Sequence, residues 1–390
     1  MKAIAVSPAT RTIELIDHEP PRITAPTQVK LRMLEVGICG TDREISAFKY
    51  GTPPPGEREL VIGHESLGQV IEIGSGVSRV AVGDLAVLMV RRPCPHPTCL
   101  ACPHGRQDFC YTGDFTERGI KEAHGFMTEF VVDDQAYVCP IPADLRDVGV
   151  LVEPLTIAEK AIAQLWQVQQ RLPWVCPVAP GERPGYCHQA VVLGAGPVGL
   201  LGAMALIANG FRVSVYSLES TTSPKAEFAR AIGAAYVCSA TESVERLVEQ
   251  VGNIDVVYEA TGASKISFQL MEVLGTNGVF IFTGVPGRKA PIELDADLIM
   301  RNLVLKNQVV YGTVNAGRAM YEAAIEDLRV FMSRWPTAVR SLLTGRYPLT
   351  AYAELLLGEL RGIKNTIVFD REPSQLSPHT QQRQSRPATT

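Results

Sequence analysis

Ala190-Val-Val-Leu-Gly-Ala-Gly-Pro-Val-Gly199 is the stretch whose reading decides the fold. Its first four residues form a short apolar strand, and small residues from Val198 to Ala208 continue as a helix. Between them lies G-x-G-x-x-G. Gly194 allows the tight turn, Gly196 lets a pyrophosphate approach the backbone, and Gly199 lets helix and strand pack closely. Pro197 and Val198 open the helix, whose positive N-terminus favours the phosphates. The fingerprint alone is weak, but a strand before it and a helix after it make it a dinucleotide site.

The same period runs on downstream. Arg212-Val-Ser-Val-Tyr216, Ile254-Asp-Val-Val-Tyr258 and Gly278-Val-Phe-Ile-Phe282 read as strands, with helical stretches over 224–232, 243–251 and 265–274. Val304 to Tyr311 reads as a last strand. Alternating strand and helix is the pattern of a parallel, doubly wound sheet. The residue that reads the ribose is expected at the second strand's tip, ~20 residues after the glycines, here Tyr216-Ser-Leu-Glu-Ser220. Glu219 could accept from a 2′-hydroxyl and would repel a 2′-phosphate, which favours NAD. As a solvated loop acid it would do neither, and Ser217 or Ser220 could then bind a phosphate, so NADP stays open. Thr261 and Gly284 are further candidate cofactor contacts.

Residues 1 to about 135 alternate β-rich runs with Gly and Pro turns, the pattern of a small barrel-like domain. Cys39 stands between two glycines just where the strand Val29 to Val36 gives out. A second glycine-led turn carries Gly63-His64-Glu65. Glu153 begins a helical pattern in which Leu155, Ala158, Ile162 and Leu165 share one face. Cysteine, histidine and carboxylates are the ligands of catalytic zinc sites, which leave a position for water or substrate. Taken singly, each has a plain alternative: a buried cysteine, a packed histidine, surface acids. Thr41 could pass a hydroxyl proton to solvent, or merely stabilise its turn.

Cys94, Cys99, Cys102 and Cys110 give C-x4-C-x2-C-x7-C. Four thiolates on one loop make a closed tetrahedral zinc site, whose role is structural. His96 and His104 lie inside the loop but are surplus to that set. The chain has 390 residues, 46% apolar and 20% charged, enough for two domains with separate cores. A net charge of −4 gives no reason to expect nucleic acid or an anionic membrane as partner. No apolar run approaches the ~18 residues of a membrane span. Met1 to Val6 reads directly into a strand without a cleavable signal, so the cytoplasm is expected. The nine cysteines are then expected as metal ligands or free thiols rather than disulfides. Residues 173–184 are proline-rich and read as an irregular linker or lid, and the polar tail after Asp370 as disordered.

Together these features resemble the zinc-dependent medium-chain alcohol dehydrogenase superfamily, over nearly the whole chain to Asp370. Cys39-Gly-Thr-Asp-Arg-Glu-Ile45, Gly105-Arg-Gln-Asp-Phe-Cys110, Thr112-Gly-Asp-Phe115, Gly125-Phe-Met127 and Val314-Asn315 are similar, more specifically, to its glucose dehydrogenase branch. The resemblance implies an α/β chain: a GroES-like β-rich catalytic domain over 1–188, completed by 312–370, and a Rossmann coenzyme domain over 189–311. Residues 371–390 form the tail. It implies a catalytic zinc held by Cys39, His64, Glu65 and, directly or through water, Glu153, besides the structural zinc. Asp114 and Asn315 match sugar-hydroxyl contacts, with Thr41, Glu65 and Glu153 also facing substrate. A homotetramer or homodimer is implied, as is hydride transfer from an aldose C1 or a polyol to NAD or NADP. Val90 and Ile157 stand where the branch can place polar sugar contacts, and Ser217-Leu-Glu219 where NADP-preferring members tend to carry Asn-Arg-Arg. Other alcohols (sorbitol, threonine, a simple secondary alcohol) therefore stay open. So does nucleotide binding without turnover.

Overall fold

The computed structural model describes residues 1–369 except 175, 177, 178, 180, 288–290 and 360. The tail 371–390 lies outside the described residues, as does part of the proline-rich stretch. By contacts the chain forms two compact units, one of Met1–Glu153, Asn315–Leu328 and Leu342 onward, the other of Pro154–Val314 and Arg329–Ser341. The division thus falls in the first turn of the helix Val152–Gln169 rather than at residue 188, and 329–341 pack with the nucleotide unit rather than with the catalytic one.

The first unit is built on a seven-stranded sheet and two three-stranded sheets. Its central strand, Gln28–Gly37, alternates at first, with Val29, Leu31 and Met33 buried, and is then buried on both faces from Leu34 onward. That strand pairs antiparallel with Glu65–Ile73 on one side and with Lys364–Val368 on the other. The strand Leu343–Pro348, which the sequence pattern did not reveal, runs parallel to Lys364–Val368. Ile4, Leu31, Val36, Leu88, Phe126 and Ile367 belong to one core.

The second unit carries six parallel strands. In spatial order they are Ala235–Cys238, Arg212–Ser217, Gln189–Leu193, Val256–Glu259, Val279–Phe282 and Val309–Gly312. The strand order, 3-2-1-4-5-6 in sequence terms, is that of a dinucleotide-binding sheet with its crevice where the order reverses. Val191, Leu193, Tyr216, Val257 and Phe280 fill its core, as a sheet covered on both faces requires. Two expectations need correcting. Val304 lies in the last turn of the helix Ala296–Leu305, and the last strand begins only at Val309; the run of β-branched and apolar residues hid the boundary. Cys176 and Cys187 form a disulfide, where free thiols or metal ligands were expected. Among the described residues, no helix is long and apolar enough to cross a membrane.

Candidate active site

Strand register assembles the first candidate set. Gly37 lies opposite Glu65 on one side and opposite Thr366 on the other. Cys39 follows one strand end, His64 precedes and Glu65 begins the next, and Lys364 begins the third. Their chemistry therefore gathers at one end of the sheet. A Cβ on Gly37 would stand 2.0 Å from the Glu65 carboxylate, so the close approach requires glycine. The Cys39 sulfur, a His64 nitrogen and a Glu65 oxygen lie within 4.8 Å of one another. His64 and Glu65 are buried, and Cys39 is half-buried. Glu153 is not in that close set. It is buried beside it, and burial pushes its carboxyl up to about 7, with His64 opposing and Glu65 adding to the rise.

Asp42 organises the set. Cys39 caps the short helix Gly40–Ser46, and its backbone N–H donates to Asp42 Oδ2 at 2.8 Å. The other carboxylate oxygen lies 3.1 Å from His64 Nδ1. Burial alone would hold the imidazole pKa down, but the fully buried Asp42 outweighs it and raises it well above the usual value. A carboxylate on Nδ1 leaves Nε2 as the ligand atom. Lys364, also buried, is ion-paired with Glu65 and donates to the Ile38 carbonyl at 2.9 Å. Burial depresses its pKa, and Glu65 more than offsets this. Sequence reasoning assigned neither residue. Asp42 carried a signal, standing three residues after an N-cap; Lys364 carried none, since only the sheet brings it to Glu65. Thr41 lies on the same helix as Asp42, near Tyr50, whose phenol pKa is pushed up by burial while Thr41 opposes the rise. Two soft or borderline ligands and one carboxylate fit a catalytic zinc, a site type that takes three protein ligands.

The second set is closed. The sulfurs of Cys94, Cys99, Cys102 and Cys110 all lie within 4.8 Å of one another. Three are buried, and the Cys94 N–H donates to Cys102 Sγ at 3.4 Å. Burial pushes the Cys102 thiol up to about 12, a penalty that a bound cation would remove. Four thiols gathered this closely fit a structural zinc. His96 and His104 stand outside this set. His96 pairs instead with Asp114 at the surface. Asn315 is buried, with φ +57°, and its Nδ2 donates to Glu117 Oε1 at 3.1 Å. Asp114 and Asn315 thus have separate partners, one exposed and one buried. Val90 is buried.

In the second unit, Gly194 has φ +105°, and a Cβ on Gly199 would meet its carbonyl at 2.1 Å. Gly196 caps the helix Pro197–Ala208, and a Cβ there would project into open space. That opening is the cradle a pyrophosphate needs. Ser217 Oγ accepts from the Ala195 N–H at 3.2 Å and donates to Glu219 at 2.6 Å. Glu219 is also ion-paired with Lys225. Its pKa is lowered: burial opposes, and the Lys225 and Ser217 bonds prevail. Glu259, which sequence reasoning missed, is fully buried at the end of its strand. One oxygen accepts from Thr261 N–H (2.6 Å), Thr261 hydroxyl (2.7 Å) and Gly262 N–H (2.7 Å), the other from Gly284 N–H at 3.1 Å. One carboxylate therefore sets both loops that carry the expected contacts Thr261 and Gly284.

A dinucleotide cradle joined in one chain to an open Cys–His–Glu set and a four-thiol loop defines the class as the zinc-dependent medium-chain alcohol dehydrogenases. Residues 25–143 match the alcohol dehydrogenase GroES-like domain and residues 146–369 the glucose dehydrogenase C-terminus. The chain is 38% identical over 365 residues to glucose 1-dehydrogenase of Methanocella arvoryzae, covering 93% of this chain and 98% of that one. It is 35% identical over 357 residues to glucose 1-dehydrogenase of Thermoproteus tenax, covering 91% and 95%. Among solved structures, Haloferax mediterranei glucose dehydrogenase in complex with NADP, Zn and gluconolactone aligns with a TM-score of 0.83 at 31% identity, over 95% of this chain and all of that one. The chain belongs to the glucose dehydrogenase family.

Proposed function

We propose that this chain oxidises the C1 hydroxyl of an aldose, glucose or a close relative, to the lactone, delivering the hydride to NAD(P). The observation that carries it is the convergence of Cys39, His64 and Glu65, supported by relatives named for that activity and a structural relative bound to gluconolactone. Zinc held by Cys39, His64 and Glu65 would supply Lewis acidity, which lowers the pKa of an oxygen it binds. Asp42 fixes the imidazole tautomer, and Lys364 holds the Glu65 carboxylate in place. Thr41 takes the hydroxyl proton and passes it on to solvent, while Glu153 faces substrate from its buried position. Asn315, steadied by Glu117, and Asp114 receive the other sugar hydroxyls. Cys94, Cys99, Cys102 and Cys110 hold a second, structural zinc.

Gly194, Gly196, Pro197, Val198 and Gly199 receive the pyrophosphate, with Thr261 and Gly284 completing the nucleotide site. Glu219, ionised and anchored, accepts from a ribose 2′-hydroxyl, which makes NAD the preferred coenzyme. The active form is a homodimer or homotetramer of the cytoplasm. Self-association is supported by Leu294, Leu298, Met300, Val304 and Leu305, exposed apolar residues preceding the sheet's edge strand Val309–Gly312.

The test is reduced-nicotinamide formation by the zinc-replete protein on glucose, galactose, xylose, sorbitol, threonine and butanediol, with each coenzyme. Turnover is expected on an aldose. Activity confined to the smaller alcohols would overturn the sugar assignment, and binding of coenzyme without any turnover would overturn catalysis.

A further inference from the structure

We propose that Cys176, Cys187 and His188 form a third metal site of this chain, open to zinc only when the Cys176–Cys187 disulfide is reduced. The two cysteines are 11 residues apart with Cα atoms 6.6 Å from each other. Their sulfurs and a His188 nitrogen lie within 4.8 Å of one another, the same bound that the Cys39 set meets.

The imidazole is arranged as a ligand. Its Nε2 is 3.9 Å from Cys176 Sγ, while Nδ1 is 3.7 Å from the Asp255 carboxylate. That carboxylate is itself fixed, accepting from the Gln189 N–H at 2.7 Å and from Asn253 Nδ2 at 2.7 Å. The ring stacks on Phe211 and tilts against Trp166, so it has little freedom to turn away. A carboxylate behind one nitrogen and two sulfurs before the other is the arrangement of a metal-binding histidine. A cavity of about 490 Å³, walled by Trp166, Gln170, Leu172 and Trp174, adjoins Cys176 and His188 and leaves room for a water as fourth ligand.

The two states exclude each other. A dithiol reductant breaks the S–S bond, delivers two electrons and two protons, and is itself oxidised to a disulfide. Zinc then displaces both thiol protons, and two thiolates with a neutral imidazole balance its charge. Cys2His is a recognised zinc set, and thiolates select soft or borderline cations over magnesium and calcium. In either state a cross-link ties this segment to the head of the strand Gln189–Leu193.

The measurement is zinc per chain in the full-length protein after exposure to zinc and desalting. It compares the phosphine-reduced and the oxidised wild type with a Cys176→Ser/Cys187→Ser double variant. The reduced wild type is expected to hold one more zinc than either of the others. Equal content in reduced wild type and double variant would overturn the proposal. Because only a difference is read, the result does not depend on how many ions the rest of the chain holds. His188→Ala, which keeps both thiols, is a second route should the double variant not fold. With cobalt as probe both sulfur-to-metal bonds stay available, so this variant is expected to bind cobalt more weakly and with shifted visible d–d bands, and unchanged affinity with unchanged d–d bands would exclude the imidazole and the site with it.

Discussion

The four-thiol loop and the Cys39–His64–Glu65 set draw on similar ligands and are assembled by opposite routes. All four loop sulfurs come from one span, 94–110, shaped by two short turns at Cys102–His104 and Gln107–Phe109. The Cys39 set is built from strand ends far apart in sequence. It depends on the register that puts Gly37 opposite both Glu65 and Thr366. A closed site has only to grip its ion, so local chain suffices. An open site has to hold an ion while presenting it, and needs a wall of buried partners behind each ligand.

Cys39→Ser tests the open half of that contrast and carries the largest expected effect. Turnover should fall by orders of magnitude, while thermal unfolding and coenzyme binding stay near wild type. Retained turnover would remove Cys39 from the chemistry. Cys99→Ser tests the closed half. Structural zinc binding is worth on the order of 10 kcal/mol in small zinc peptides, so losing one buried ligand should lower the unfolding temperature substantially. Turnover of the chains still folded should change little; a loss of turnover with no loss of stability would reverse the two roles.

Asp42→Asn sharpens the comparison, because the loop has nothing like Asp42. An amide that kept accepting from the Cys39 N–H would turn its NH2 toward His64 Nδ1. The ring would then carry its proton on Nε2 and could no longer bind a metal there. Removing such a partner typically costs about 10–100-fold in metal affinity or activity. Zinc titration of the variant, followed by turnover at saturating zinc, checks this. An affinity equal to wild type would show that strand register alone orients the ligands.

The same contrast explains what the sequence made legible. The fingerprint at Gly194–Gly199 and the cysteine loop are local patterns whose spacing carries their geometry, and both read out directly. Cys39, His64 and Glu65 could be singled out because each follows a glycine-led turn. Lys364 and Glu259 could not. Each is a charged residue buried by long-range packing, and their sequence surroundings are those of ordinary strand-end residues. Cys176 and Cys187 misled for a related reason. Compartment reasoning about disulfides says nothing about which two cysteines a fold brings together. The boundary at residue 188 followed the change of sequence period, whereas contacts follow the helix Val152–Gln169, most of which packs with the nucleotide unit.

Glu219 returns the comparison to the second unit, where the smallest effect is expected. Like Asp42, it is an acid fixed by a neighbouring donor, but it lies at a strand tip and its side chain is 36% exposed. Solvent therefore screens it, and an exposed charge pair is worth about 1 kcal/mol or less. Glu219→Ala removes the repulsion toward a 2′-phosphate and leaves Lys225 without its carboxylate partner. The kcat/KM ratio of NADP to NAD should rise, by about tenfold at most, with kcat on NAD nearly unchanged. Were the ratio to stay constant, coenzyme choice would rest on Ser217 and Ser220, and Glu219 would act only as the anchor that Ser217, Lys225 and Tyr236 make of it.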